Sequence, residues 1–147
     1  MSALQMGITT EGSTRVGQIA GGLRFRVAYV AVGTGGYNPG TPAQELPLVP
    51  AATALTAEVL RKPVPSNQTV VNAYALPRGQ ETTYTTFSGT EVTGALGEAG
   101  LFAVVDDPGG SGLTLGYVFL LAQAHFPRII LEPTDKLALR WPIRYGP

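Results

Sequence analysis

Hydrophobic and polar positions alternate along KLALRWPIRY, residues 136–145. Leu137, Leu139, Trp141, Ile143 and Tyr145 fall on one face, and Lys136, Ala138, Arg140, Pro142 and Arg144 on the other. A period of two is the repeat of a strand with one face in a core. Pro142 has no amide donor, which places it at a sheet edge, a bulge or a non-bonded position. Leu23 to Val32 opens with the same alternation, Leu23, Phe25, Val27 and Tyr29 against Arg24 and Arg26, and turns apolar on both faces at Val30 to Val32. Between these strands lies the most apolar stretch, Gly94 to Phe126. Its runs Ala99–Val105 and Leu113–Phe126 flank Asp106–Gly112, DDPGGSG, a segment of turn residues. The pattern predicts a hairpin too apolar to stand alone in water, which the rest of the chain must cover.

The remaining segments are weaker in period. Thr9 or Thr10 is placed to cap a short helix with Glu11 in its first turn, Val16, Ile19 and Ala20 on one face and Gly21-Gly22 at its end; a flexible arm over residues 1–22 is the competing expectation. Thr53 to Lys62 has helix-forming residues, with Leu55, Val59 and the stem of Lys62 on one side and Pro63 and Pro65 as stops. Asn67 to Leu76 reads as a strand, Thr82 to Phe87 as an edge strand, and Ile129 to Leu131 as a short strand. Residues 33–50 form a long Gly/Pro-rich loop of the kind that carries function or an interface. The expected fold is mostly β: an antiparallel β-sandwich or barrel-like domain over residues 23–147, with one or two short helices and long Gly/Pro-rich loops.

Composition narrows the function. The chain has 147 residues, ten basic and ten acidic, no cysteine and one histidine. Without cysteine there is no disulfide and no thiolate chemistry. With no basic surplus, nucleic-acid binding by counterion release is not expected. Charged residues are 14% of the chain, against about 25% in an ordinary soluble domain, which suits a surface partly covered by neighbours. No secretory leader and no membrane span are read from the sequence.

The chemical motifs are near misses. In GTGGYNPG the third glycine of a dinucleotide fingerprint is replaced by Asn38, and no P-loop follows. Gly109 to Leu113 approaches a nucleophile elbow, but its last position is Leu113. The same run approaches a calcium repeat, but Thr114 stands where Asp is required. Asp106 and Asp107 supply too few oxygens for a hard cation, and His125 alone makes no conventional zinc site. Glu98, set among glycines and apolar residues, must be paired, bonded to backbone amides or solvated, and reads as a structural anchor. No catalytic, cofactor or metal-binding residue is assigned, and enzyme activity is not expected.

The order of motifs carries a resemblance. Ala31-Val32-Gly33 with Gly35-Gly36, then Leu55, Glu58 and Arg61, then Glu98-Ala99-Gly100-Leu101-Phe102 and a hairpin resemble the N-terminal attachment domain of tail-collar fibre proteins of tailed bacteriophages and related small virion proteins. The resemblance runs from about Gly22 to Tyr145, and Glu98, Gly100, Leu101 and Phe102 are its most specific part. It implies a non-enzymatic virion protein that joins tail, collar or baseplate parts to the particle, commonly as a trimer, with other virion proteins as partners. Fibre proteins continue into a shaft and tip, which this sequence lacks, so capsid decoration is an alternative. A carbohydrate- or ligand-binding sandwich using Tyr37, Tyr74, Tyr84 or Trp141 is a second. Tyr37, Asn38, Tyr84, Phe87 and the N-terminal arm are the candidate interface.

Overall fold

The computed structural model describes residues 5–38, 44–64, 69–71 and 79–145. The chain is mostly β, antiparallel and sandwich-like, with no closed barrel among the described residues. In chain order come β1 (Gln5–Ile8), α1 (Thr10–Gln18) with a 3-10 turn at Ile19–Gly21, β2 (Arg24–Gly33), β3 (Tyr37–Asn38), β4 (Gln44–Glu45), β5 (Glu58–Pro63), β6 (Thr69–Val71), β7 (Gly79–Ser88), β8 (Ala95–Asp107), β9 (Val118–Ile130) and β10 (Lys136–Tyr145). A five-stranded sheet runs β1-β9-β8-β2-β5 and a three-stranded sheet β10-β7-β6. One core joins them. Phe25, Val30, Leu96, Leu101, Val105, Phe119 and Phe126 of the large sheet pack in a cluster with Phe87 and Trp141 of the small one.

The expected hairpin is the centre of the large sheet, as β8 and β9. Its turn sits later than the sequence pattern predicts. Residues 108–117 form the connection, and Leu113 to Tyr117 is not strand. Gly112 and Gly116 take positive φ there and Leu115 is 71% exposed. The apolar run at 113–117 therefore misled, because positive φ at its glycines breaks the extended backbone. Asp107 accepts from the Gly109 amide at 3.0 Å, the local bonding expected of a turn aspartate.

Register shifts interrupt the ladders of the large sheet at several points, and two of them, each with one extra residue, have their freed groups bonded by neighbouring elements. In β9, Leu121 is the extra residue between Leu101↔Ala122 and Phe102↔Leu120. In β2, Ala28 is extra between Val27↔Ala103 and Tyr29↔Phe102. A bulge frees ladder groups, and both are taken up. Val64 donates to the Ala28 carbonyl (2.8 Å), and the Thr9 amide donates to that of Leu121 (3.0 Å). The Thr9 hydroxyl donates to Leu120 O at 2.6 Å and accepts from the Gly12 amide at 2.9 Å. Thr9 thus caps α1 and docks it on the bulge. The N-terminal segment is a strand followed by this helix, not a free arm; β1 was not foreseen.

Three further expectations are corrected. Glu58–Pro63 is the edge strand β5 paired with β2, not a helix. The open edge of β2 supplies a ladder that outweighs the modest helix propensity of these residues. The Thr82–Phe87 segment belongs to β7, which lies between β10 and β6, so it is not an edge strand. Ile129 and Ile130 continue β9 instead of forming a separate strand. Of the strand expected at 67–76, the described part is β6; residues 67–68 and 72–76 lie outside the described residues. Strand β10 spans the alternating segment, and Pro142 lies on this edge strand of the small sheet.

Lys62 of β5 ties the two sheets at their rim, with its ammonium 2.7 Å from Thr86 O and 2.7 Å from the Glu91 carboxylate. That hydrogen bond, with one from the Ser88 amide, holds the Glu91 carboxyl below its ordinary value. At the other end, the Tyr117 hydroxyl donates to Glu11 at 2.8 Å, while Arg15 pairs with the same carboxylate at 2.7 Å. The bond to Glu11, helped by burial, raises the Tyr117 phenol above its ordinary pKa. A raised folded-state value means that this stabilisation is complete below the unfolded tyrosine value, about 10, and is lost as pH rises through the folded value. Urea midpoints at pH 9 and pH 11 should therefore fall further for the natural chain than for Tyr117→Phe. Equal falls would show that the Tyr117–Glu11 contact does not couple to folding.

Candidate functional site

The bulges leave the large sheet with a second face, opposite the main core. Tyr29, Ala31 and Gly33 of β2, Glu98, Gly100 and Phe102 of β8, and Leu120, Gln123 and His125 of β9 lie on it. Such a face needs a cover, and residues 46–57, without regular structure, provide it. Ala52 and Leu55 of this strap pack on Ala31, Phe102 and Leu120.

Three buried polar side chains hold the strap by its backbone. Glu98, 1% exposed, accepts from the amides of Ala57 (2.8 Å) and Thr56 (3.2 Å). Gln123, 4% exposed, donates its side-chain amide to Val49 O at 2.6 Å. His125, 7% exposed, places Nδ1 2.7 Å from Leu46 O. A carbonyl only accepts, so Nδ1 carries the proton and, in the neutral ring, Nε2 bears the lone pair. Main-chain bonds finish the seam: Leu46 N to Gly36 O (2.9 Å), Thr10 N to Pro50 O (2.7 Å) and Thr34 N to Ala57 O (2.9 Å). The polar residues inside the apolar hairpin are therefore fasteners for an irregular segment that has no ladder of its own.

Glycine makes room for this. A Cβ on Gly33 would lie 2.5 Å from both Ala57 O and Glu98 Oε1, and one on Gly100 would lie 3.0 Å from Leu55 Cδ2. In a strand, that pattern marks close approach of a second backbone. Beside it, Arg61 of β5 lays its guanidinium 3.8 Å from the Phe102 ring centroid and pairs with Glu58 at 2.8 Å. The residues singled out in the sequence thus come together: Gly33, Leu55, Glu58, Arg61, Glu98, Gly100 and Phe102 meet on one face. Val32, Ala99 and Leu101 point the other way, into the main core.

The candidate interface residues are scattered. Tyr37 is half-buried in β3, near Gly97 and with Arg128 5.7 Å from its ring centroid. Asn38 pairs through its backbone with Gln44, and its side chain lies outside the described residues. So does that of Tyr84, whose backbone faces Arg140 in the small sheet. Phe87 is 0% exposed and belongs to the core, so it is withdrawn from the interface. Trp141 is likewise a core residue, and Tyr74 lies outside the described residues. Gln123 and the role of His125 are not among the residues the sequence pattern singles out. Their signal was two polar residues at a spacing of two in an apolar run. Under the strap lies a cavity of about 200 Å³ lined by Val49, Ala52, Ala54, Leu55, Thr56, Glu98, Gln123 and His125. Among the described residues no three His, Asp or Glu side chains group as a metal site.

Glu98→Ala leaves two strap amides without their acceptor and should cost about 2–6 kcal/mol, given about 1–3 kcal/mol for each such group. Hydrogen exchange should quicken at Thr56 and Ala57 well before it does at the β8–β9 ladder. Unchanged protection at those two amides would show that Glu98 does not hold the strap. Comparison of the chain with family models, with curated proteins and with solved structures gives no match.

Proposed function

We propose that the chain is a non-enzymatic structural protein of a tailed-bacteriophage virion, acting as an attachment module of the tail, collar or baseplate. The observation that carries this reading is the meeting of the three resembling segments. Gly33 and Gly35 approach the Glu98 carboxylate, Leu55 leads into the Thr56 and Ala57 amides that bond it and packs against Gly100, and Arg61, paired with Glu58, lies on Phe102 of the same face, so parts far apart in sequence are neighbours. A motif whose parts make one physical device is better support than a motif whose parts lie scattered, because chance matches have no reason to converge.

Self-association as a trimer belongs to the same reading. Strand β1 is an outer strand of the large sheet, and among the described residues it pairs only with β9. Its Met6 and Ile8 are exposed, at 43% and 46%. An uncovered apolar edge strand is a liability that an oligomer removes.

Two measurements test the proposal. Sedimentation at micromolar concentration should give a trimer, and Met6→Lys with Ile8→Lys should shift it towards monomer. Cryo-electron microscopy of particles containing the chain should place it at the tail, collar or baseplate. Density on the capsid lattice would overturn that position in favour of decoration of the head, and absence from purified particles would overturn the virion role.

A further inference from the structure

We infer that the cavity beneath the strap is a binding site for a primary alkylammonium group, of the kind carried by a lysine side chain or a small alkylamine. The argument starts from charge. Glu98 is 1% exposed, and its carboxylate accepts two backbone amides but has no cationic partner among the described residues. A buried charge is costly unless it is paired, and amide bonds answer only part of that cost.

The neighbouring groups have the same polarity. Gln123 spends its amide N–H on Val49 O, which leaves its Oε1 without a donor among the described residues. His125 spends Nδ1–H on Leu46 O, which leaves the lone pair of Nε2 without a donor among them. Glu98 and His125 are directly paired across β8 and β9, and Gln123 stands two residues from His125 on the same face. Directly opposed residues of an antiparallel pair have Cβ atoms about 4.5–5.5 Å apart, so the acceptors crowd one wall.

All three residues line the cavity, and each is more than nine-tenths buried. The other walls include Val49, Ala52, Ala54 and Leu55. Three acceptors at one end and aliphatic walls beside them complement a group with three N–H donors, a positive charge and a short methylene stem. A primary ammonium has three donors and no acceptor. About 200 Å³ is room for such a stem, or for several waters at roughly 30 Å³ each. An anion would meet a carboxylate and lone pairs. The inference stands on the geometry of the face and is independent of the virion reading.

The chain has one histidine, so its imidazole resonance reports on this site alone. n-Butylammonium chloride titrated into the isotopically labelled full chain at neutral pH should give saturable shifts of the His125 imidazole, the Gln123 side-chain amide and the Thr56 and Ala57 amides. Tetramethylammonium at equal ionic strength, charged but without N–H donors, should give no saturable shift, and n-butanol should bind at least tenfold more weakly. Ala52→Leu, which fills the cavity without touching an acceptor, should weaken n-butylammonium at least tenfold. Shifts that follow the concentration of chain alone would identify a lysine of a second copy as an occupant. Shifts only with added amine would identify an amine from another source. No saturable response, an equal response to tetramethylammonium, or unchanged affinity in Ala52→Leu would overturn the site and leave a cavity that holds only water.

Discussion

The fold depends on one buried carboxylate that bonds to backbone. Glu98 sits in the central strand of the large sheet and is almost fully enclosed. Its two oxygens accept from consecutive amides of a segment that has no sheet partner. Hydrogen bonds to an ionised acceptor contribute about 1.5–3 kcal/mol each, enough to hold an irregular segment that would otherwise leave both its own amides and the sheet face to solvent. The relation is mutual: the strap shields the carboxylate and the carboxylate orders the strap. Gly33 keeps the approach open, since a methyl there would meet Ala57 O and the carboxylate together.

The bulges at Ala28 and Leu121, with the register shift between Leu96 and Glu98, explain how one sheet serves two layers. Without the extra residue at Leu121, the alternation of Phe119 and Leu121 would continue to put Gln123 and His125 on the core side. With it, Ala122, Ala124 and Phe126 take the core positions, and Gln123 and His125 turn to the strap. A shift of one residue exchanges the two faces of a strand, so the bulge acts as a local register change. The freed carbonyls are not wasted. Leu120 and Leu121 receive Thr9, and Ala28 receives Val64, so each irregularity also docks a neighbouring element.

These facts explain what the sequence made legible. The core strands were visible because burial imposes a period: β2, β10 and the central hairpin follow from Leu23 to Val32, Lys136 to Tyr145 and Gly94 to Phe126. A cap at Thr9 or Thr10 was visible because a cap is local chemistry, and the structure places it at Thr9. Glu98 was visible as an anchor because an isolated carboxylate among apolar residues must bond to something. What it bonds to was not visible, since Thr56 and Ala57 contribute only backbone, which has no sequence signature. The same applies to β5. Glu58 to Pro63 carries helix formers on local evidence, and the open edge of β2 that makes it a strand is a tertiary fact. Phe87 illustrates the reverse error, for a TTYTTF segment reads as an exposed edge, whereas the Phe87 side chain packs in the main core.

Polar residues in a buried hairpin also restrict which structure forms. Were β9 to slip one residue against β8, Gln123 and His125 would enter the main core beside Phe25 and Leu101, and Ala122 and Ala124 would face the strap. Buried amide and imidazole groups without partners would cost about 1–3 kcal/mol each, so the slipped register is disfavoured twice, by lost fastening and by new burial. An all-apolar face would give no such penalty and would tolerate either register. Glu98, Gln123 and His125 therefore do more than hold a loop. They allow one alignment of the central strands, and with it one placement of Gly33 and Phe102 beneath the strap.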